Sequence, residues 1–190
     1  MEDPIWNIAG DKIALGPRRR DLVPTYLRWM NDFEVVKTLS TPLLPRTFEA
    51  QEEWFLESSK EDPKNTIFTI FERATKRAVG NAGLHDINQK HSTAVFGIVI
   101  GEKDCWGKGY GTEATKLVLD YAFTAVGLHA ISLHVDARNV RGQKAYERAG
   151  FKLVGRLRES RRVGGTVQDS VIMDCLATEF ESPVLRRVLS

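Results

Sequence analysis

The chain has 190 residues, 42% of them apolar and 27% charged, which is enough to bury one sizeable core and too apolar for a disordered segment. Its 27 Lys and Arg nearly balance its 25 Asp and Glu, and a net charge of +2 is too small to hold a phosphate backbone, so no nucleic-acid partner is expected. No apolar run is long enough to cross a bilayer, so no membrane partner is expected either.

The first residues include Glu2 and Asp3 where a signal peptide carries cations, and no apolar stretch follows, so the expected location is cytoplasmic. The two cysteines, Cys105 and Cys175, fit reduced thiols; neither sits in a motif that would activate it as a nucleophile. There is no internal repeat, low-complexity tract or long linker, so residues 1–190 read as a single domain.

In chain order, residues 12–17 form a short strand pattern. A helix over residues 21–30 follows, with Asp21 as its expected N-cap, and a second helix runs to about Ser59 from Thr47 as N-cap. Pro42 and Pro45 separate the two. Residues 66–71, 78–87 and 93–100 read as three strands with short polar links, an antiparallel meander. Residues 112–126 carry Ala114, Leu117, Val118, Tyr121, Ala122 and Ala125 at helical spacing, and Gly127 follows as a C-cap. Ile131, Leu133 and Val135 alternate with Ser132, His134 and Asp136, a strand with one buried face. Asn139 caps a short helix ending at Gly150, and strands over 151–158 and 167–176 close the chain around a Gly164-Gly165 turn. This order predicts a mixed sheet with helices on both faces.

Residues 105–114 carry the most chemistry. Gly107, Gly109 and Gly111, at every second position, let the backbone curl so that successive N–H groups turn inward. The helix behind adds free N–H groups and a positive dipole end. The result is an anion cradle of pyrophosphate size, with Lys108 as a cation at its rim; a merely flexible glycine-rich turn is the plainer alternative. The stretch is not a P-loop, since Gly-x4-Gly-Lys-Ser/Thr is absent. Nor is it a dinucleotide fingerprint, because Thr112 stands where the third glycine belongs.

The loop resembles the coenzyme A pyrophosphate motif of the GNAT N-acetyltransferases, Gln/Arg-x-x-Gly-x-Gly/Ala, with Gly109 and Gly111 at the glycine positions and Trp106, a departure, in place of Gln or Arg. Residues 95–101 look like that family's splayed strand. Asn139, Tyr146, Glu147, Gly150 and Phe151 match its Asn-x6-Tyr-Glu-x-x-Gly-Phe block. Leu15 to Pro17, Asp21, Trp29 to Asp32 and residues 169–176 are similar to its ribosomal-protein and polyamine subgroup (RimJ/RimL type), so the resemblance spans roughly the whole chain.

The resemblance implies an α/β (α+β) GNAT fold: a mixed, mostly antiparallel sheet of about seven strands, about four flanking helices and a splayed central strand pair. It implies acetyl-CoA as co-substrate, no metal, and direct attack by a primary amine (a protein α-amine, a polyamine or a small amine) in a ternary complex. A homodimer follows family habit. It assigns Trp106, Gly107, Lys108, Gly109, Tyr110, Gly111 and Thr112 to the pyrophosphate, Phe96, Gly97, Ile98 and Val99 to the pantetheine arm, with the N–H of Ile98 or Val99 on the thioester oxygen, and Asn139 to the pantetheine arm or the substrate. Gly97 is the expected bulge or bend.

The resemblance implies Tyr146 as the general acid, since related enzymes place a tyrosine at this helix position near the coenzyme sulfur, and a phenol with a pKa near 10 suits a departing thiolate; a core aromatic is the bland alternative. For the base, His134 on the polar face of its strand is the first candidate. Glu102 at the end of the splayed strand is the second, and His85 with Asp86 the third. The expectation is that no single base is essential and that water carries the proton. The helix acids Glu49, Glu52, Glu53 and Glu57, with Glu61 and Asp62 beyond, would form a rim attractive to cations. Arg156, Arg158, Arg161 and Arg162 cluster near the last hairpin, for an acidic partner or the adenosine 3′-phosphate. Competing readings are a coenzyme-binding regulatory module without catalysis, an antibiotic-modifying acetyltransferase, and a protein that binds ATP or a dinucleotide.

Overall fold

The computed structural model describes residues 3–39, 41, 43–60 and 62–190. Pro42, Glu61 and the first two residues, on which expectations above rest, lie outside the described residues.

The eight strands are β1 (Ile8–Ala9), β2 (Ile13–Pro17), β3 (Thr66–Glu72), β4 (Ala78–Asn88), β5 (Thr93–Ile100), β6 (Ala130–Asp136), β7 (Lys152–Val163) and β8 (Thr166–Leu176). They form one sheet in the order β1-β2-β3-β4-β5-β6-β8-β7. The helices are α1 (Val23–Asn31), α2 (Phe33–Val36), α3 (Phe48–Ser58), α4 (Tyr110–Asp120), α5 (Val140–Ala149) and α6 (Leu185–Leu189). The mixed, mostly antiparallel sheet matches expectation. The additional elements are β1, α2 and α6, each too short to show a hydrophobic period in the sequence.

The meander β3-β4-β5 is antiparallel throughout. Strand alternation sends neighbouring side chains to opposite faces. Ile70 joins Leu84 and Leu117 of α4 in one core, while Phe71 joins Tyr26 and Trp29 of α1 and Phe55 of α3 in another. Each such fully buried side chain contributes about 1.5–3 kcal/mol.

Local signals explain most element ends. The Thr47 hydroxyl accepts from the Ala50 amide at 3.2 Å and starts α3. Asn139 Oδ1 accepts from the Gly142 amide at 2.9 Å and starts α5, which Gly150 ends at φ 115°. Gly164 and Gly165, with φ 57° and 79°, turn β7 into β8. Asp21 is not the cap of α1. It lies in a 3-10 turn, Arg20–Leu22, with its carboxylate taken by Arg19 at 2.9 and 2.7 Å, and Pro24 opens the helix instead. α4 starts two residues earlier than its apolar period, because Gly109 at φ 88° serves as N-cap, and a π turn, Tyr121–Ala125, extends it toward Gly127.

The decisive feature is the one parallel pair. β5 and β6 pair only at Thr93↔Ala130, Ala94↔Ile131 and Val95↔Ser132. Beyond Val95 they part, while β5 stays on β4 as far as Ile100 and β6 stays on β8 as far as Asp136. A wedge opens between them.

Gly97 is not a bulge, contrary to expectation. It pairs in register with Gly83, and the irregularity falls in β4 between His85 and Asn88, where Asp86 has φ 50°. Gly97 is small for another reason: a Cβ there would stand 3.2 Å from His85 Nε2.

Candidate active site

The wedge forms a cleft of about 610 Å³ walled by β5, the loop after it, one face of α5, part of β6, His85 of β4, and the end of α2 with the chain that follows it. Every coenzyme-binding residue expected from the sequence lines it except Lys108, and so do Tyr146 and His134; Glu102 does not.

The two sides of the wedge differ, and alternation along β5 defines them. Phe96, Ile98 and Ile100 pack toward α4 and α5. Gly97 lies under His85, and a Cβ on Gly101 would collide with the Trp29 ring of α1, so the odd-numbered residues face α1 and α2. On β6, Ile131, Leu133 and Val135 belong to the α4 core, which turns His134 and Asp136 toward α2.

On the α4 side, the loop 106–112 is staked at several points. Trp106 Nε1 donates to the Ile100 carbonyl at 2.8 Å, and the Arg141 guanidinium lies 4.0 Å over its ring. The Tyr110 hydroxyl donates to Glu72, which holds that phenol up at about 12. Glu113 accepts from the Lys12 amide at 3.0 Å. The first-turn amides of Tyr110, Gly111 and Thr112 have no intrahelical acceptor, and glycine at the N-cap offers them no side-chain oxygen. They face the cleft with the positive end of α4 behind them. Lys108 does not line the cleft; its carbonyl accepts from Lys12 Nζ at 3.3 Å. Lys12, a hundred residues earlier, brings its ammonium to this loop, and no pattern in the sequence connects the two; the cations that line the cleft are Arg141 and Arg148.

Tyr146 extends from α5 into an aromatic group, 6.1 Å from both Phe96 and Phe151 by ring centroids. Burial pushes its phenol up to about 12. Asn139 lines the cleft while its Oδ1 is committed to the α5 cap, and Gly142 leaves room for that cap, since a Cβ there would meet Asn139 Nδ2 at 2.6 Å.

The direction of the β5 amides follows from two contacts. The Gly101 amide donates to the Val79 carbonyl on β4, and the Ile100 carbonyl accepts from Trp106 on the opposite edge. N–H and C=O of one strand residue point the same way and alternate between neighbours. Val99 therefore turns to β4, and Ile98 presents its N–H to the wedge.

On the α2 side, His134 is exposed on the cleft wall and His85 is half-buried against Gly97. Burial pushes the His85 imidazole below its ordinary range, with Asp86 pulling weakly the other way. Glu102 is removed from this chemistry. It accepts from Trp29 Nε1 at 2.8 Å and from Arg28, with Arg77 at 3.9 Å. Burial pushes its carboxyl up, but the hydrogen bonds from Arg28 and Trp29 outweigh that and hold it below the usual range. Both cysteines are free and buried, and burial pushes both thiols up, Cys175 to about 11.

The acidic helix face expected as a rim is elsewhere, and the arginines near the last hairpin are partly paired. Glu52 pairs with Arg20 and Glu57 with Lys60, and no carboxylate of α3 lines the cleft. Arg156 pairs with Asp169 at 3.0 Å, and Arg161 turns inward. Among the described residues, no group of three or more His, Cys, Asp or Glu is placed to hold a metal ion, and no helix is long and apolar enough to cross a membrane.

Compared with known proteins, residues 13–152 match the family model described as an acetyltransferase (GNAT) domain. The chain belongs to the GNAT acetyltransferase family. The curated spermidine N(1)-acetyltransferase of Vibrio cholerae is 35% identical over 111 residues, covering 58% of this chain and 64% of that protein. An uncharacterized N-acetyltransferase, p20, of Bacillus licheniformis is 29% identical over 113 residues, covering 60% and 63%. The chain thus spans under two thirds of the length of these curated relatives. Among solved structures, the Vibrio cholerae spermidine N-acetyltransferase in complex with CoA and spermine superposes with a TM-score of 0.82 at 27% identity, covering 90% of this chain and 98% of that one.

Proposed function

We propose that this GNAT protein transfers the acetyl group of acetyl-CoA to a primary amine by direct attack within a ternary complex. The observation that carries the reading is the wedge: an anion cradle and a buried phenol open on one side, and two imidazoles on the other.

The coenzyme enters from the α4 side. The amides of Tyr110, Gly111 and Thr112 hold its pyrophosphate. Its pantetheine arm lies along β5 where β6 has withdrawn, completing the ladder that β5 lacks. The Ile98 N–H donates to the thioester oxygen and stabilises the charge that grows there as the amine attacks. The amine arrives from the α2 side, between His85 and His134. Its ammonium must first lose a proton, which either imidazole accepts directly or through water. The amine lone pair forms the C–N bond, the tetrahedral centre collapses as the C–S bond breaks, and the nitrogen sheds its second proton, which water carries to the phenolate that Tyr146 becomes. The Tyr146 hydroxyl gives its proton to the leaving sulfur.

The relatives named above include spermidine acetyltransferases, which favours a polyamine acceptor. The wall chemistry favours an amine with a single positive charge: the α2 side is lined by Val35, Thr38, Leu39 and His85, and no described residue lining the cleft is a carboxylate. A thiol-release assay with acetyl-CoA against spermidine, an alkyl monoamine, an aminoglycoside and peptides beginning with Ser or Ala tests both points. Thiol release with one of them supports the transferase reading. Acetyl-CoA binding with no release for any of them would leave a regulatory module in its place.

A further inference from the structure

Arg161 lies in β7, in the arginine cluster near the last hairpin. An irregularity in the β7–β8 pairing between Leu157 and Arg161, with Glu159 at φ 52°, re-aims the strand there. It turns Arg161 inward, leaving the side chain only 14% exposed. The guanidinium donates to the carbonyls of Thr38, at 3.2 Å, and Leu39. The same group stands 3.9 Å from the carboxylate of Asp136, which is fully buried at the end of β6. Arg138 fixes that carboxylate from the other side, with its amide at 2.9 Å and its guanidinium at 3.1 and 2.9 Å.

Asp136 ends the strand that withdraws from β5, whereas Thr38 and Leu39 form the cleft wall after α2. We infer that Arg161 is a positioning residue that sets the width of the amine entrance by tying the Thr38–Leu39 wall to the end of the splayed strand. Its hydrogen-bond and ion-pair partners are Thr38, Leu39 and Asp136, on the acceptor side, so it sets that side and leaves the coenzyme side alone. Its planar fork bonds two carbonyls and faces a carboxylate at once, which a lysine ammonium cannot reproduce.

The inference rests on the acetyltransferase reading for its kinetic consequence and on geometry alone for the tie itself, so the experiment has two arms. Hydrogen exchange of the free protein compares wild type with Arg161→Gln and Arg161→Lys. The tie predicts faster exchange at residues 37–39 in both variants, larger in Arg161→Gln, with the amides of 107–112 unchanged. Steady-state kinetics on the same proteins, with whichever amine the wild type accepts, should show KM for the amine raised about tenfold in Arg161→Gln and less in Arg161→Lys, with KM for acetyl-CoA within twofold of wild type. Unchanged exchange at 37–39, or equal rises in both KM values, would overturn the inference. A wild type inactive toward every amine would refute the acetyltransferase reading instead, and the exchange arm would still decide whether the tie exists.

Discussion

The indole Nε1 of Trp106 donates to the backbone carbonyl of Ile100 at 2.8 Å. That bond joins the glycine-rich loop to the last residue of β5, so one contact sets the two parts of the proposed coenzyme site relative to each other. Trp106→Phe keeps an aromatic surface for Arg141 and removes the donor. The expected result is a Kd for acetyl-CoA weakened by about tenfold, or roughly 1.4 kcal/mol, with little change in kcat. Calorimetric titration checks it.

Tyr146→Phe keeps the ring packing against Phe96 and Phe151 and removes the hydroxyl proposed as the acid. The expected fall in kcat is about 10²- to 10⁴-fold, with acetyl-CoA affinity retained. Stability gives an independent readout. The folded phenol sits near 12, above its ordinary value of 10.0. The wild type therefore keeps this contribution below pH 10 and loses it as pH rises toward 12, at about 1.4 kcal/mol per unit. Tyr146→Phe should lose less stability than wild type over that window in alkaline denaturation curves.

Neither histidine is expected to be indispensable. His134→Ala and His85→Ala should each lower kcat/KM by less than about tenfold, and the double variant by more than either. In His134→Ala, His85 is the remaining imidazole, and its lowered pKa should place the acid limb of the pH–rate profile below 6.5. Complete inactivity of either single variant at every pH would show a dedicated base.

Glu102→Gln should spare catalysis. Its carboxylate serves Arg28 and Trp29 outside the cleft, so the expected loss is about 1–3 kcal/mol of stability, with an unchanged pH–rate profile. Thermal unfolding and kinetics on one preparation separate the two effects.

Much of this fold was legible because its signals are local. Thr47, Asn139, Gly150 and the Gly164-Gly165 turn act through hydrogen bonds or φ angles within a few residues, and the alternation of Ile131, Leu133 and Val135 reports one buried face. The glycines of 107–111 act as locally, with Gly107 and Gly109 at positive φ ahead of α4. What escaped the sequence is long-range. Glu102 looked like a base at the end of the splayed strand, and only the fold brings Arg28 and Trp29 to it. Gly97 read as a bulge, whereas its small size answers to His85 on the next strand. Lys12 reaches the loop, and Arg161 reaches Thr38 and Leu39, across separations that no periodicity encodes. Asp21 was misread because Arg19, two residues away, competes for the carboxylate that would have capped α1.

The most direct test is a calorimetric titration of acetyl-CoA into wild type and Gly109→Val. Gly109 holds φ 88° at the N-cap of α4, where a β-branched residue is strained, and its conformation aims the amides of Tyr110, Gly111 and Thr112 at the cleft. Saturable 1:1 binding by wild type, and its loss in a variant that remains folded by circular dichroism, is the predicted result. Equal affinity in the two proteins, or no binding by wild type, would contradict the assignment of this loop to the coenzyme.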